Sequence, residues 1–431
     1  MTFTTIIHMK TLFYNFIIFT FTLMYFPYLL IKGKWHGGMP LRLGWQRVKD
    51  FLPPSPKPRV WIHAVSVGET LAVSGLIRRI KAQYPAYAAV VTTVTPTGYR
   101  IARQQLEDDT PVLFAPVDFS WIVRAYLDAI QPVLYITAET EIWPNLFEQL
   151  KRRQVPVVIV NGRISEKGFR RYALVRGLLK DVLGAVRCFC MQTNSDAQRI
   201  IELGAPAENV HIAGNVKFDD LPEAGGQSAQ DWGYAPGQTI LVGGSIHPGE
   251  DEILILHYQK LIGEFPELRL ILAPRHPERA GEISRHLAAA GLSAVPYSRL
   301  DRERARLAGP DTVLVIDEIG HLRRIYEIAT VVFVGKSLCG RGGQNIIEPA
   351  FYGKAVITGP YMDNFAKIIQ VFNHAEAVIQ VADEAGLYEE IRKLLAHPQT
   401  ALQMGQAARR VVDLNRGATE RTLRLLVPFL S

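Results

Sequence analysis

Short apolar runs alternate with helical-period stretches along most of this chain. Val60–Val65, Ala88–Thr93, Val112–Phe114, Val133–Ile136, Val155–Val160 and Cys188–Gln192 are apolar at nearly every position, which predicts strands buried on both faces. Between them, stretches such as Thr70–Tyr84 and Trp121–Ala129 carry the spacing of amphipathic helices. Such β/α alternation predicts a parallel sheet covered by helices. The pattern breaks between Asp219 and Pro236, where LPEAGGQSAQDWGYAP reads as an interdomain linker, and then restarts. Thr239–Val242, Leu268–Ala273, Val313–Ile316, Val331–Val334 and Ala355–Thr358 are the next expected strands. The fold class expected is α/β: two doubly wound, Rossmann-like domains, residues 59–219 and 236–431, facing each other across a cleft. Ligands of such sheets bind outside the carboxyl ends of the strands.

A different pattern precedes the first strand. Leu12 to Ile31 reads LFYNFIIFTFTLMYFPYLLI, free of charge and long enough to cross a bilayer, although Asn15 and Pro27 interrupt its apolar character. No small-x-small cleavage site follows, so residues 1–34 are expected to be a retained transmembrane anchor. Lys10 lies before the span, while Lys32, Lys34, Arg42, Arg47 and Lys49 follow it, which places the bulk of the chain on the cytoplasmic side. Pro53, Pro54, Pro56 and Pro58 read as a stiff spacer.

Charge sharpens the picture. The formal net charge is +7, and residues 1–220 hold 26 Lys and Arg against 17 Asp and Glu, so the basic half is also the anchored half. That suits an anionic membrane surface or a phosphorylated lipid. The cations are dispersed and form no aromatic-basic module, so nucleic acid is not an expected partner. The three cysteines, Cys188, Cys190 and Cys339, make neither a redox pair nor a zinc pattern and suggest a reducing compartment.

Candidate chemistry lies at the strand ends. VWIHAVSVGET delivers Glu69 at the start of a helix, where it is either a helix-terminal acid or a general base. ITAETEIWPN sets Glu139 and Glu141 two apart, a pair that reinforces basicity or holds a divalent metal; no histidine or third acid joins it, so a metal is not expected. Lys217, in GNVKFDD, reaches the cleft or faces solvent. In the second half, Ser245 and His247 follow one strand, and Pro274, Arg275 and His276 emerge from another, where a guanidinium can grip phosphate. In GRGGQNIIEP, Gly342 and Gly343 can bring backbone N–H groups to a phosphate. There Asn345 and Glu348 make either a capping box or a ribose contact.

With these residues assembled, the chain resembles the 3-deoxy-D-manno-oct-2-ulosonic acid (Kdo) transferases of lipopolysaccharide assembly. The resemblance rests on nine motifs in order: HAVSVGE, TTVTPTG, ETEIWPN, NGRIS, GNVKFD, GSIHPGE, PRHPER, GGQNIIEP, and a late GP followed by Asn364-Phe365. It implies a GT-B glycosyltransferase, without cofactor or metal, that moves Kdo from CMP-Kdo to a lipid A precursor at the cytoplasmic face of the inner membrane. It further implies that Glu69 is the catalytic base, that Glu139 and Lys217 stabilise the transition state, and that a last helix around Ala401–Leu426 packs back across the linker onto the first domain, as in related GT-B folds. Pro274-Arg275, Ile319-Gly320-His321 and Asn345-Ile346-Ile347-Glu348 match its CMP-binding segments. Two positions depart from the family: His321 stands where Glu is usual, and Gln344 where His is usual. A UDP-sugar enzyme or a sugar-nucleotide epimerase on the same fold is the closest rival, followed by an inactive membrane-tethered scaffold.

Overall fold

The apolar runs form two separate seven-stranded sheets, every pairing parallel. The computed structural model describes residues 14–16, 18–20, 22–24, 35–219, 221, 225–303 and 307–431. The chain divides into unit 1, Met1–Asp220 with Arg416–Ser431, and unit 2, Leu221–Asn415.

Unit 1 contains β1 (Arg59–His63), β2 (Ala88–Thr93), β3 (Val112–Phe114), β4 (Pro132–Ala138), β5 (Val157–Gly162), β6 (Val186–Met191) and β7 (Val210–Ile212), in the order 3-2-1-4-5-6-7. Alternate residues serve opposite faces. Trp61, Tyr135, Ile159 and Phe189 pack with the helices Ser120–Ile130 and Pro144–Arg152 on one side. On the other, Ile62, Ile136, Val160 and Cys190 meet Leu423, Leu426 and Leu430 of the last helix, Ala418–Leu430. Cys188 and Cys190 share this buried face, with Sγ atoms 3.7 Å apart.

Unit 2 contains β8 (Thr239–Ile246), β9 (Leu268–Pro274), β10 (Ser293–Pro296), β11 (Thr312–Val315), β12 (Val331–Val334), β13 (Ala355–Thr358) and β14 (Ile379–Gln380), ordered 10-11-9-8-12-13-14. Leu241, Leu270, Leu272, Phe333 and Ile357 anchor its core.

The structure revises several expectations. β7, β10 and β14 were not foreseen, because each is short, lies at or beside a sheet edge and lacks a fully apolar run. Trp232 and Tyr234, inside the expected linker, are buried in unit 2. Ahead of the proline-rich stretch the chain already packs on unit 1, which was not foreseen: Leu41 and Val48 join the unit 1 core, and Arg42 Nε donates to Ala115 O at 3.1 Å. The expected terminal helix is two. Pro398–Asn415 stays in unit 2, and after Gly417 (φ 87°) the chain enters Ala418–Leu430 in unit 1. Gly417 N donates to Asp219 Oδ1 at 2.6 Å, and Thr419 N donates to Oδ2, so the carboxylate caps that last helix. The span expected at 12–31 lies largely outside the described residues. Among the described residues no helix is long and apolar enough to cross a membrane.

Candidate active site

In unit 1 the strand order reverses between β1 and β4, so the loops leaving those strands part and open a crevice at their carboxyl ends. Glu69 follows β1, while Glu139 and Glu141 follow β4. Ser66 caps the helix Val67–Gln83: its Oγ accepts from Glu69 N at 3.4 Å and donates to Glu69 Oε1 at 2.8 Å. Val65 N donates to Glu69 Oε2, also at 2.8 Å. The helix-terminal role is therefore real, but it does not by itself set the state of the carboxyl. An exposed capping acid is stabilised in its ionised form. Glu69 is instead buried, 7% exposed, and burial pushes its carboxyl up to about 7. The bonds from Val65 and Ser66 oppose that rise, and the carboxylates of Glu139 and Glu141 add to it. Burial outweighs the helix end that alone favours ionisation.

Glu139 is held in a left-handed backbone conformation, φ 55°, by its N–H on Val160 O at 2.9 Å. Such a residue costs about 1–3 kcal/mol unless its surroundings fix it. Its Oε2 accepts from Arg163 Nε at 2.7 Å. Lys217 sits in the single turn Val216–Phe218, opened by Asn215, whose Oδ1 accepts from Lys217 N at 3.1 Å. Burial lowers the Lys217 pKa, against an upward pull from the Glu139 charge; Arg163 adds to the lowering and Glu69 to the rise. Burial likewise raises the Glu141 pKa, with the polar indole of Trp143 opposing and the Glu139 charge reinforcing. The three expected catalytic residues thus lie within electrostatic reach of one another. Arg163, just after β5 in NGRIS, completes the group and was missed; a cation directly after the next strand of the sheet was the available signal. His63, in the same motif as Glu69, is no rival base: burial drives its pKa down to about 3, and its Nδ1 lies 2.9 Å from Thr92 Oγ1.

Unit 2 reverses between β8 and β12. The end of β8 is bulged at Ser245, buried with φ 52°. Glu250, fully buried, accepts from the backbone N–H groups of His247 and Lys336 at 2.8 Å, of Ser337 and Leu338 at 3.1 Å, and of Cys339 at 3.4 Å. This carboxylate ties the two loops of the switch point together, a role not foreseen from an acid leading a helix. Pro274 ends β9 in the core, and Arg275 and His276 emerge exposed beyond it. The His276 and His247 rings are 6.1 Å apart, and Gln344 Nε2 lies 3.4 Å from His247 Nε2. Burial lowers the His247 pKa; Glu250 opposes, while Lys336, His276 and Arg275 add to the lowering.

Other expected contacts are rearranged. Gly343 N–H does not wait for a phosphate, because it donates to Lys336 O at 2.9 Å. The glycine pair serves packing: both have positive φ, and a Cβ would fall 2.6 Å from Asn364 Nδ2 at Gly342 and 2.3 Å from Met362 Sδ at Gly343. No capping box joins Asn345 to Glu348. Asn345 Oδ1 accepts from Ile347 N at 3.0 Å, and Glu348 Oε1 accepts from Arg323 Nε at 3.3 Å. Ile346 is buried, Ile319 is 86% exposed, and His321, after Gly320, packs on the Tyr297 ring at 4.0 Å with Nε2 3.1 Å from Glu318 Oε2.

A family model for 3-deoxy-D-manno-octulosonic-acid transferase (kdotransferase) matches residues 38–220. A 3-deoxy-D-manno-octulosonic acid transferase of Haemophilus influenzae is 32% identical over 382 residues, covering 87% of this chain and 88% of its own. The chain belongs to the Kdo transferase family. A second Kdo transferase, of Bordetella pertussis, is 31% identical and covers 92% of this chain and 93% of its own. The chain is accordingly an enzyme, a glycosyltransferase of lipopolysaccharide biosynthesis. A UDP-GlcNAc 2-epimerase of Neisseria meningitidis, solved with UDP-GlcNAc, superposes with a TM-score of 0.56 at 11% identity over 86% of this chain and all of its own. At that identity it speaks for the fold, two parallel-sheet α/β domains as in GT-B glycosyltransferases.

Proposed function

We propose that this Kdo transferase moves Kdo from CMP-Kdo to a hydroxyl of a phosphorylated lipid A precursor, with inversion and without a metal, on the cytoplasmic face of the inner membrane. The observation that carries the reading is a buried Glu69 whose pKa lies near 7, grouped with Glu139, Glu141, Arg163 and Lys217. A base so poised accepts a proton at neutral pH. As CMP departs, the sugar becomes oxocarbenium-like; the acceptor hydroxyl attacks the opposite face and yields its proton to Glu69. Glu139 and Lys217, one of each charge, stabilise the transition state as fixed charges. Arg275 and His276, with the loop from Gln344 to Glu348, form the CMP-binding surface. A lipid acceptor is supported by exposed Leu174, Val175 and Leu178 beside Lys167, Arg170, Arg171 and Arg176, an apolar patch rimmed by cations.

Single-turnover transfer from CMP-Kdo, generated in place, to a tetraacylated lipid A precursor tests this reading, with products read by mass. Wild type is expected to give product, and folded Glu69→Gln almost none. Equal product from both would return Glu69 to a capping role alone, and stabilisation by UDP-sugars rather than CMP would overturn the donor.

A further inference from the structure

Asn15 is an amide in an otherwise apolar stretch, and a simple membrane tether has no use for it. The described residues 14–16, 18–20 and 22–24 are helical, and they divide sharply by side. Tyr14, Asn15, Ile18 and Thr22 are half-buried and share one face, whereas Phe16, Phe19, Leu23 and Met24 are exposed on the other. The covered face is bonded to unit 1. Tyr14 OH donates to Asp118 Oδ2 at 3.1 Å. Asn15 Nδ2 donates to Ser120 Oγ at 2.7 Å, and Asn15 Oδ1 accepts from Asn145 Nδ2 at 2.8 Å and from Ser120 N at 3.4 Å. Ile18 packs against the core beneath.

What these bonds hold is two helix starts. Ser120–Ile130 and Pro144–Arg152 each lack a side-chain cap from their own N-cap residue, leaving N–H groups to be satisfied from elsewhere. Asp118 takes Asn145 N at 3.0 Å and Leu146 N at 2.9 Å, and Asn15 takes Ser120 N. Asn145 stands four residues after Glu141, in the segment that also carries Glu139 and Trp143, whose ring stands edge-on to His63 at 5.5 Å. The first helix is therefore linked through Asp118 and Asn145 to the loop of the active site.

We propose that Tyr14 and Asn15 are positioning residues: the N-terminal helix braces the Glu139–Glu141 loop, with its apolar outer face against lipid. The inference deepens the proposed transferase reading and rests on it for its effect on turnover. The full chain in lipid nanodiscs is compared with Asn15→Leu and Tyr14→Phe, and with Phe16→Leu on the outer face as a control. Amide hydrogen exchange is followed over 139–146, alongside kcat and the KM for CMP-Kdo.

For Asn15→Leu, faster exchange confined to 139–146 is expected, with kcat lowered about fivefold and the donor KM unchanged. Tyr14→Phe should move both in the same direction by less, and Phe16→Leu should leave both as in wild type. Unchanged exchange at 139–146, faster exchange spread over all of unit 1, or local loosening without loss of kcat would each overturn the brace. If wild type itself transfers no Kdo, the functional reading fails on its own, and the exchange data still decide whether the helix holds the loop.

Discussion

Each unit has a parallel seven-stranded sheet that reverses beside its first strand, with a different strand order on one side, and the two use that reversal in opposite ways. In unit 1 the switch point gathers ionisable groups that burial has moved from their ordinary pKa values: Glu69 and Glu141 upward, Lys217 downward. In unit 2 the buried Glu250 is saturated by backbone amides, and Arg275 and His276, which follow β9, stand in solvent. Burial has brought the Glu69 carboxyl to the edge of protonation near neutral pH, whereas the backbone amides around Glu250 make it a fastener. The first arrangement suits proton transfer and the second suits holding an anion. Both keep non-glycine residues in left-handed backbone at strand ends: Glu139 and Asn161 in unit 1, Ser245 and Lys336 in unit 2.

The largest effect should come from Glu69→Gln, which lowers single-turnover transfer by about a thousandfold while leaving CMP affinity intact. A comparable loss from Arg275→Ala at saturating donor would erase the division of labour. Next, Glu250→Ala leaves the amides of Lys336, Ser337 and Leu338 without their acceptor. It should destabilise the protein by about 3 kcal/mol in urea titration and weaken CMP binding in calorimetry. Retained stability and affinity would show the fastener to be dispensable.

The pH profile sharpens the contrast. As a base, Glu69 works ionised, so kcat should rise along an acidic limb centred near pH 7, about tenfold lower at pH 6 than on its plateau. Arg275→Ala should leave that limb in place and weaken CMP binding about tenfold, the loss of one charge-assisted contact. Smallest is a stability effect. A folded carboxyl raised from 4.5 to about 7 stabilises the protein fully below its ordinary pKa, and that contribution is lost as pH rises through 7. Glu69→Gln should thus flatten the fall in Tm between pH 5 and 8, and an unchanged slope would show that other groups govern it.

Much of this was legible in the chain. Long apolar runs such as Ala88–Thr93 and Val331–Val334 are strands with the expected bounds, because a strand buried on both faces has no freedom in its pattern. Glu69, Glu139 and Lys217 were legible because each follows a strand or a motif at a strand end. Arg163 and Glu250 were not, since their importance lies in partners 24 and 86 residues away, Glu139 and Lys336. The glycine pair was assigned to phosphate on local chemistry, whereas the fold spends it on close packing against Met362 and Asn364. Burial decided the state of Glu69, and burial is a property of the fold.

The last helix also bears on synthesis. Leu423, Leu426 and Leu430 fill the face of the unit 1 sheet formed by Ile62, Ile136 and Val160, and Asp219 receives the N–H groups that open that helix. The half of the chain translated first is thus completed last. Unit 2, contained in Leu221–Asn415, can finish its core while unit 1 still lacks one of its walls. A chain cut short within the final turns would have unit 2 whole and unit 1 open along one side.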